Sequence, residues 1–407
     1  MEGRKYLAVL NPTQEVLARK SAGCRRLVYN LALSQRQYTY QSKGWSQNYA
    51  AQCHELVELK ESFPFLGEVP SQVLQQSLKD LEISYKYFFR GLNGHPRFKS
   101  KDHGDSFRFP DSREFRVEPL SKKWARVHLP KFGWVRLRCS RALPKTIRNI
   151  TMSRDSDEWH LSFCGEVEPL VQVAIHKTPV GIDRGVVKAV VASDGFTANR
   201  EMVTAGEGKR FVRLQQKLAR QAKGSKRRHR TRVQLANLHR TIRRRRQDFA
   251  HQTSRQLVNS HDLIVLEDLR VNNMTASARG TIANPGTNVK AKAALNRAIL
   301  DKGWGRLKTY IAYKLEREGG KLILVNPAFS SQQCSECDHI DAKSRVSQSW
   351  FCCTKCGHAE NADINAAKVI LGRGLKIVYA EGLSVSGQGD LCRGMSMNCQ
   401  SPLLKVA

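Results

Sequence analysis

The sequence predicts a multidomain α+β protein, and three observations lead to this fold class. The chain has 407 residues, which exceeds the length at which a single hydrophobic core usually stops growing. A helical pattern between about 11 and 103 gives way to period-two alternation of apolar and polar residues between 104 and 176. Beyond 177, short apolar strand patterns alternate with helical segments, so we expect an α/β domain there.

The N-terminal region, residues 1–103, predicts one strand followed by helices. Tyr6–Leu10 is a short apolar run that indicates a strand. Between about 71 and 89, apolar residues recur every three or four positions, which is typical of a helix with one buried face. The other face carries Gln75 and Gln76, whose amides suit bases or phosphates, although a solvated helix face explains them equally well.

Residues 104–176 predict an antiparallel β-module. Val127 and Leu129 alternate with polar residues, and Val135 and Leu137 do the same after a Phe-Gly turn. The pattern favours a barrel-like arrangement of these strands.

Basic residues are interleaved with aromatic residues just before and within this module. Arg97 and Lys99 flank Phe98, and Arg108 lies between two phenylalanines. Such a pattern suits contact with nucleic acid, because cations bind phosphates and aromatic rings stack on bases. We take Arg97, Lys99 and Arg108 as candidate contacts.

The charge of the chain predicts a polyanionic partner. The formal net charge is +32, from 68 Lys and Arg against 36 Asp and Glu. Half of this excess lies between 209 and 246, where sixteen Lys or Arg occur with no Asp or Glu. A solvated charge run is the usual alternative, but such runs mix signs, so we favour a helical hairpin that contacts phosphates. The candidate contacts within it are Lys226, Arg227, Arg228, Arg243 and Arg244.

The sequence contains no long apolar span and no secretory h-region, which predicts a cytoplasmic protein with reduced thiols and no membrane partner. Four of its eleven cysteines follow the spacing Cys-x2-Cys-x15-Cys-x2-Cys. This spacing predicts a zinc site, and four thiolates complete a tetrahedral shell with no open position, so the zinc is expected to be structural. Cys352 competes with its neighbour for the third position, but only Cys353 completes the second Cys-x2-Cys pair. The predicted ligands are Cys334, Cys337, Cys353 and Cys356.

Three acids follow a pattern that predicts a metal-dependent nuclease. Asp183 ends the apolar run Val180–Asp183, Glu267 ends a second run, and Asp363 begins an Ala-rich helix. Each acid alone is more often a turn or cap residue, and Asp268 beside Glu267 is assigned to structure. Together, two apolar strands ending in acids and a helix with a third describe an RNase H-like core. Two Mg²⁺ ions suit such a site, because hydrolysis by two metals needs carboxylates from different elements.

With these motifs in view, the chain resembles the TnpB (OrfB) family of insertion-sequence proteins, which is related to compact type V CRISPR effectors. The resemblance extends over most of the length, and its motifs are short individually but specific in this order. They are Arg26–Asn30, Gln75–Lys79, Phe98, Leu129–Gly133, Gly181–Gly185, Arg246–Phe249, Leu266–Leu269, Gly303–Trp304, Val325–Pro327, Ser330–Gln332, the four cysteines and Asp363–Ala367.

The resemblance implies an RNA-guided DNA endonuclease with a guide (omega) RNA transcribed from the transposon end. It implies a monomeric ribonucleoprotein that cleaves double-stranded DNA next to a short flanking motif, which Gln75, Gln76 and Arg108 would contact. Asp183, Glu267 and Asp363 would be the metal ligands of a split RuvC nuclease domain.

The same resemblance implies five segments. They are a wedge domain (1–10 and 104–176), a helical recognition lobe (11–103), the nuclease domain (177–326 and 361–378), a zinc-ribbon insert that binds target nucleic acid (327–360) and a disordered tail (379–407).

Two departures from the family pattern concern the nuclease site. Ala362 stands where many relatives have an Arg before the third acid, so Arg373 or Lys368 could replace that cation. Arg184 stands where apolar residues are frequent.

Three other functions remain open at this point. One is an RNA-guided binder that has lost cleavage, although all three acids are present. The others are a transposition factor and a compact CRISPR effector, which only the genomic neighbourhood would separate from a transposon nuclease.

Overall fold

The computed structural model describes residues 2–101, 104–166 and 177–380. The chain forms two compact units: Met1–Glu168 with Ala222–Arg240, and Pro169–Gln221 with Thr241–Ala407. Three parts of the predicted segments lie outside the described residues. These are positions 102–103 of the predicted helical region, 167–176 of the predicted β-module and the predicted tail from 381 onward.

The first unit contains a seven-stranded antiparallel sheet. Its strands are β1 (Glu2–Val9), β2 (Ser106–Phe109), β3 (Arg116–Ser121), β4 (Trp124–Leu129), β5 (Gly133–Arg138), β6 (Thr146–Asp155) and β7 (Glu158–Glu166). They lie in the order β2-β6-β7-β1-β5-β4-β3, so the N-terminal strand is central, with Ala8 between Leu137 and Trp159. Among the described strands no pairing joins the edges β2 and β3, and closure into a barrel is not shown.

The alternation predicted from the sequence gives this sheet its buried face. Val127, Leu137 and Phe163 are fully buried, while their neighbours along each strand are more exposed. Tyr6 of β1 contacts the Phe163 ring edge-on, with 5.5 Å between ring centroids. Large rings and branched side chains on one face exclude water from the core of the first unit.

Three helices of the first unit share a second core. They are α1 (Pro12–Lys43), α2 (Tyr49–Ser62) and α3 (Ser71–Phe89), with a 3-10 turn at Pro64–Glu68. Asn11 caps α1, accepting a hydrogen bond from the Gln14 backbone N–H at 2.8 Å while the Gln14 side chain accepts one from the Asn11 N–H. Leu33, Leu74 and Leu81 are fully buried between the helices.

The second unit contains a mixed five-stranded sheet and a small two-stranded sheet. The strands are β8 (Val180–Asp183), β9 (Val190–Ala192), β10 (Thr197–Ala198), β11 (Leu263–Glu267), β12 (Lys321–Val325), β13 (Trp350–Cys352) and β14 (Ala359–Asn361). The larger sheet has the order β10-β9-β8-β11-β12, in which β8, β11 and β12 are parallel and β9 is antiparallel to β8.

Six helices follow or connect these strands. They are α4 (Ala205–Arg220), α5 (Lys226–Ser260), α6 (Val271–Met274), α7 (Val289–Lys302), α8 (Trp304–Glu318) and α9 (Ala362–Ala380), and the division between the units falls within α5. None of the helices in the described ranges is long and apolar enough to cross a membrane.

Helices cover both faces of the five-stranded sheet. Ile264 and Leu266 of β11 pack on one face with Ile311 of α8, whereas Val265 packs on the other face with Ile370 of α9. Because side chains along a strand alternate between faces, every second residue of β8 and β11 points toward α9.

The approach of α9 to the sheet is close enough to require glycine. A Cβ at Gly181 of β8 would lie 2.1 Å from the carbonyl oxygen of Ala367 in α9. A Cβ at Gly374 of α9 would lie 2.4 Å from the Val265 side chain. The two glycines therefore let α9 lie directly on β8 and β11, and this contact positions the N-terminus of the helix.

Candidate metal centres

Two of the three predicted acids end neighbouring parallel strands at the same level. Ile182 of β8 is opposite Leu266 of β11, so Asp183 and Glu267 follow as the next residues of each strand. Gly181 and Val265, two positions earlier, face α9. Strand alternation therefore places both carboxylates on the α9 face, at the carboxyl end of the sheet.

The third acid lies at the start of α9. Asp363 comes one helical turn before Ala367, whose carbonyl lies against β8. The Asn361 side chain caps this helix by accepting hydrogen bonds from the backbone N–H groups of Asp363 at 3.1 Å and Ile364 at 3.4 Å. A carboxylate in this first turn is favoured by the positive end of the helix dipole.

The pKa of Asp183 reflects its burial and the charges of the other two acids. Burial raises the pKa of Asp183 to about 7, and the negative charges of Glu267 and Asp363 contribute to the same shift. A backbone N–H of Arg184 and the guanidinium of Arg345 act in the opposite direction. Protons and metal ions would therefore compete for this cluster near neutral pH.

The carboxylates of Asp183, Glu267 and Asp363 are spread more widely than the ligands of a single metal ion. In the described ranges, only the cysteine group brings three or more potential ligand atoms within 4.8 Å of one another. Two ions about 3.5–4 Å apart do not need so tight a group, since each carboxylate oxygen has to reach only one ion. Three hard oxygen ligands from two strands and a helix fit Mg²⁺ at this position.

Glu267 is held by two neighbours that the sequence did not identify as partners. Its carboxylate Oε1 accepts a hydrogen bond of 2.6 Å from the Ser330 hydroxyl, and both side chains are buried. Its backbone carbonyl accepts a hydrogen bond from the guanidinium of Arg184. The Ser330 contact fixes the direction of the Glu267 side chain, and the Arg184 contact holds the Glu267 backbone.

Arg184 places a buried cation beside the acids. The residue is 4% exposed, and its Nε has no hydrogen-bond partner among the described residues. The charges of Glu267, Asp183 and Asp268 oppose the lowering of its pKa by burial. Arg184 therefore offsets part of the repulsion within the carboxylate cluster.

The other cations and the spare acid near the site have structural partners. Lys368 forms an ion pair with Glu360 at 2.7 Å, and Arg373 donates to the Gln333 side chain and to two backbone carbonyls. Asp268 is exposed and pairs with Lys308 at 3.0 Å.

The four predicted cysteines converge within 4.8 Å of one another. The Sγ atoms of Cys334 and Cys356 are 3.6 Å apart, and those of Cys337 and Cys353 are also 3.6 Å apart. A tetrahedral ion with Zn–S bonds of about 2.3 Å requires sulfurs about 3.8 Å apart, whereas a disulfide bond is only about 2.05 Å long. The arrangement fits zinc.

The environment of one thiol favours its ionised form. Burial alone would raise the pKa of Cys353, but backbone N–H groups of Cys356 and Lys355 point at the sulfur and lower the pKa to about 6. Cys352 ends β13 and lies outside the group. Phe351 and Ala362 pack against the cysteines and form a small apolar core beside them.

The predicted nucleic-acid contacts of the first unit differ in exposure. Gln75, Arg97 and Arg108 are exposed, and the Arg108 guanidinium lies 3.4 Å from the Thr151 hydroxyl. Gln76 is buried and donates to Asp80 at 2.8 Å, so its side chain is not on the free face that the helical pattern predicts. Of the two glutamines, only Gln75 is open to solvent.

Lys99 lies in a basic pocket. The segment Arg97–Ser100 is fixed to α1 by Asn30, which exchanges two hydrogen bonds with the Lys99 backbone. The Lys99 ammonium lies 3.6 Å from the centroid of the Tyr29 ring, and burial lowers its pKa to about 8. The adjoining pocket has a volume of about 400 Å³ and is lined by Arg25, Arg26, Arg97, Phe98, Lys99 and Ser106.

The basic stretch forms parts of two helices. α4 ends at Arg220 and α5 begins at Lys226, with Gly224 in the short segment between the two helices. Lys226, Arg227, Arg243 and Arg244 are exposed, and Arg228 is half-buried.

Comparison with known families gives three matches along the chain. Residues 1–44 match the helix-turn-helix domain of the OrfB proteins of IS605, and residues 162–278 match the family described as probable transposase. Residues 304–370 match the Cas12f1-like TNB domain. In the structure the first match contains β1 and α1, and the third contains the cysteine group and the start of α9.

Two curated relatives match most of the length of the chain, and a third matches about half of it. InsQ of Escherichia coli K12, named as a candidate RNA-guided DNA endonuclease, is 37% identical over 92% of both chains. A Streptomyces pristinaespiralis protein named in the same way is 31% identical over 89% of this chain and 87% of its own. The CRISPR-associated endodeoxyribonuclease Cas12f1 of Sulfoacidibacillus thermotolerans is 30% identical over 56% of this chain and 53% of its own.

Two solved structures share the fold. Cas12f1 in a complex with guide RNA and target DNA has a TM-score of 0.53 and 16% identity, over 88% of this chain and 82% of that chain. The mini-RNA-guided endonuclease Cas_phi3 has a TM-score of 0.52 and 10% identity, over 95% of this chain and 93% of that chain. At these identities the likeness supports a multidomain fold of the same kind.

Proposed function

The chain belongs to the TnpB (OrfB) family of insertion-sequence proteins, relatives of the type V effectors, and on that premise we propose that it is an RNA-guided DNA endonuclease. It would use a guide RNA to cleave double-stranded DNA next to a short flanking motif. The observation that carries the proposal is the convergence of Asp183, Glu267 and Asp363 on one face of a mixed sheet. A guided binder without cleavage would not need this arrangement.

The three acids are the proposed ligands of two Mg²⁺ ions. Bound there, the ions would supply an activated water and stabilise the charge that develops on the leaving oxygen. Asp183 and Glu267 present oxygens from fixed strand ends, and Asp363 presents its oxygens from the capped end of α9. Ser330 and Arg184 restrain Glu267, which keeps a ligand in place without rearrangement when the ions bind.

The proposed domain assignment follows the family. The order β10-β9-β8-β11-β12, with β9 antiparallel among parallel strands, supports an RNase H-like (RuvC) nuclease domain in 177–326 and 361–378. Residues 327–360 would form a zinc ribbon within it, with Zn²⁺ in a structural role. The first sheet, with its described strands in 1–10 and 104–166, would belong to the wedge domain (1–10 and 104–176), and 11–103 would be the recognition lobe.

Sequence readout would rest on base pairing between guide and target, while the protein contacts backbone and the flanking motif. We propose that Gln75 and Arg108 contact the flanking motif. Arg97 and Lys99 would bind phosphates at the basic pocket. Gln76 is buried and would act only through Asp80. Cations of the basic stretch would bind guide or target phosphates, and they are the exposed Lys226, Arg227, Arg243 and Arg244 together with the half-buried Arg228.

The test is to express the protein beside its native flanking DNA and to sequence the RNA that co-purifies with it. A single structured RNA with a variable 3′ segment is expected, and it supplies the guide for a cleavage assay. A mixture of unrelated RNAs would contradict guided activity and leave a basic transposition factor. A guide encoded by a repeat array would instead identify a CRISPR effector.

A further inference from the structure

The cysteine group is connected to Glu267 through one residue. Ser330 lies between the end of β12 and Cys334, four positions before the first zinc ligand. Its hydroxyl donates to the Glu267 carboxylate at 2.6 Å, and both side chains are less than 10% exposed. A short hydrogen bond to a buried carboxylate is strong and directional, so the position of Ser330 sets the position of that ligand.

A second residue connects the cysteine group to the helix of Asp363. Asn365 is fully buried in α9, two positions after Asp363. Its amide donates to the Gln333 carbonyl at 2.8 Å and accepts a hydrogen bond from the Ser335 N–H at 3.0 Å. Gln333 and Ser335 are the two neighbours of Cys334, so Asn365 holds the backbone on both sides of a zinc ligand.

The segment between these two connections is also fastened to α9. The Arg373 guanidinium donates to the carbonyls of Asn326 at 2.7 Å and Ala328 at 2.9 Å, and to the Gln333 side chain. The path from β12 to Cys334 is therefore fixed at both ends and in the middle. Displacement of Cys334 would move Gln333, and with it the segment that presents Ser330.

We propose that Ser330 and Asn365 are positioning residues through which zinc occupancy of the four-thiolate site sets the divalent-ion affinity of the carboxylate site. This inference rests on the proposed function, because it takes Asp183, Glu267 and Asp363 as metal ligands. Four-thiolate zinc sites hold the fold of small domains that are unfolded without the metal. Loss of zinc would allow the backbone around Cys334 to move. Ser330 would then no longer hold Glu267 in place against repulsion by Asp183.

The direct test is Mn²⁺ binding by the full-length protein without nucleic acid, followed by the paramagnetic resonance signal of free Mn²⁺. Ser330→Ala should weaken binding by about tenfold, within the range found when partners of metal ligands are removed. The control Ser331→Ala should leave affinity unchanged, and Ser330→Thr should restore most of it because the hydroxyl is kept. Wild-type affinity in Ser330→Ala would overturn the proposal.

A second arm tests the connection to zinc. Cys337→Ser should lower zinc content and weaken Mn²⁺ binding, whereas Ser330→Ala should retain full zinc content while losing Mn²⁺ affinity. Unchanged Mn²⁺ affinity in zinc-free Cys337→Ser protein would overturn the coupling.

The failure of the proposed function has a different signature. In that case wild-type protein and Asp183→Asn would bind Mn²⁺ equally, because no carboxylate site would exist. If Cys337→Ser does not fold, the Ser330 series still decides the positioning role.

Discussion

Gly181 of β8 lies against Ala367 of α9 so closely that a Cβ on the glycine would lie 2.1 Å from the Ala367 carbonyl oxygen. The contact joins the strand that ends in Asp183 to the helix whose first turn carries Asp363. It explains how two acids separated by almost half of the chain lie at one site. The proposed metal site therefore depends on Gly181, which carries no functional group and acts only by allowing close packing.

Replacing this glycine should disturb both stability and the metal site. Gly181→Ala forces a methyl group into the backbone of α9, which has to move, and overpacking of this kind costs about 1–3 kcal/mol or more. We expect a lower urea midpoint and weaker Mn²⁺ binding, because α9 would shift together with Asp363. Equilibrium urea unfolding and Mn²⁺ titration measure the two effects.

Two glycines of α9 allow a comparison. Gly374→Ala would place its methyl 2.4 Å from the buried side chain of Val265, and because rotation of a β-branched side chain does not clear this space, it should also destabilise the protein. Gly372→Ala meets nothing within 4 Å and should be neutral or stabilising by up to about 1 kcal/mol, as expected for Ala over Gly in a helix. Equal losses at 181 and 372 would contradict a close contact between β8 and α9.

The raised pKa of Asp183 predicts that its ionised carboxylate, which the metal site requires, lowers the stability of the folded protein. The folded-state pKa of about 7 exceeds the ordinary value of 3.8, so folding binds a proton between these pH values. Stability of the protein without divalent ions should therefore fall as the pH rises from about 4 to 7. Asp183→Asn lacks this penalty and should be more stable at pH 8, by up to about 4 kcal/mol.

Thermal unfolding between pH 4 and pH 8, in buffer without added Mg²⁺ or Mn²⁺, checks this prediction. The advantage of Asp183→Asn should grow as the pH rises and should vanish near pH 4. If Asp183→Asn is less stable than wild type at pH 8, favourable interactions of the charged Asp183 carboxylate outweigh the cost of burying it. Cleavage by the same variant should be lost.

The cysteine group predicts different outcomes for two neighbouring thiols. Cys353→Ser removes one of the four converging sulfurs and should lower zinc content from one per chain to nearly none, because the remaining three thiolates leave the shell incomplete. Cys352→Ser, the adjacent residue outside the group, should retain zinc. Elemental analysis of both purified variants decides between them, and zinc loss in the Cys352 variant alone would reverse the ligand assignment.

Lys99 predicts a pH dependence of nucleic-acid binding. Burial lowers the Lys99 pKa to about 8, so its charge is lost as the pH rises through 8. If Lys99 binds phosphate, affinity for RNA should fall between pH 7 and pH 9, and Lys99→Arg should remove that fall because arginine stays charged. Lys99→Met should reduce the salt dependence by about one phosphate contact.

Fluorescence anisotropy with a labelled single-stranded RNA measures these changes. The control is Lys79→Arg, an exposed residue of α3 at which the wild-type pH dependence should persist. An identical pH profile for wild type and Lys99→Arg would exclude Lys99 from the interface.

Local patterns predicted the parts of the site that depend on local sequence. Asp183 and Glu267 were predicted because an acid after a short apolar run marks the end of a buried strand. The cysteine spacing predicted a group that the structure brings together. Both signals lie within a few residues of the side chains concerned.

Contacts between distant segments were not predictable in this way. Ser330 lies in a loop 63 positions from Glu267, and no periodicity points from one to the other. Gln76 lies on the polar face of α3, yet that face is also covered, since Asp80 beside it pairs with Arg25 of α1. The helical periodicity of a sequence identifies the apolar face of a helix. It does not show whether another helix contacts the polar face through ion pairs, as α1 does here.

Cleavage of a plasmid that carries a guide-matched target beside the flanking motif tests the three acids directly. We predict Mg²⁺-dependent cleavage by the wild-type ribonucleoprotein, at least a hundredfold less product with Asp363→Asn, and unchanged binding of the same target by that variant. Cleavage by Asp363→Asn at the wild-type rate would contradict the central claim that Asp183, Glu267 and Asp363 form the catalytic metal site.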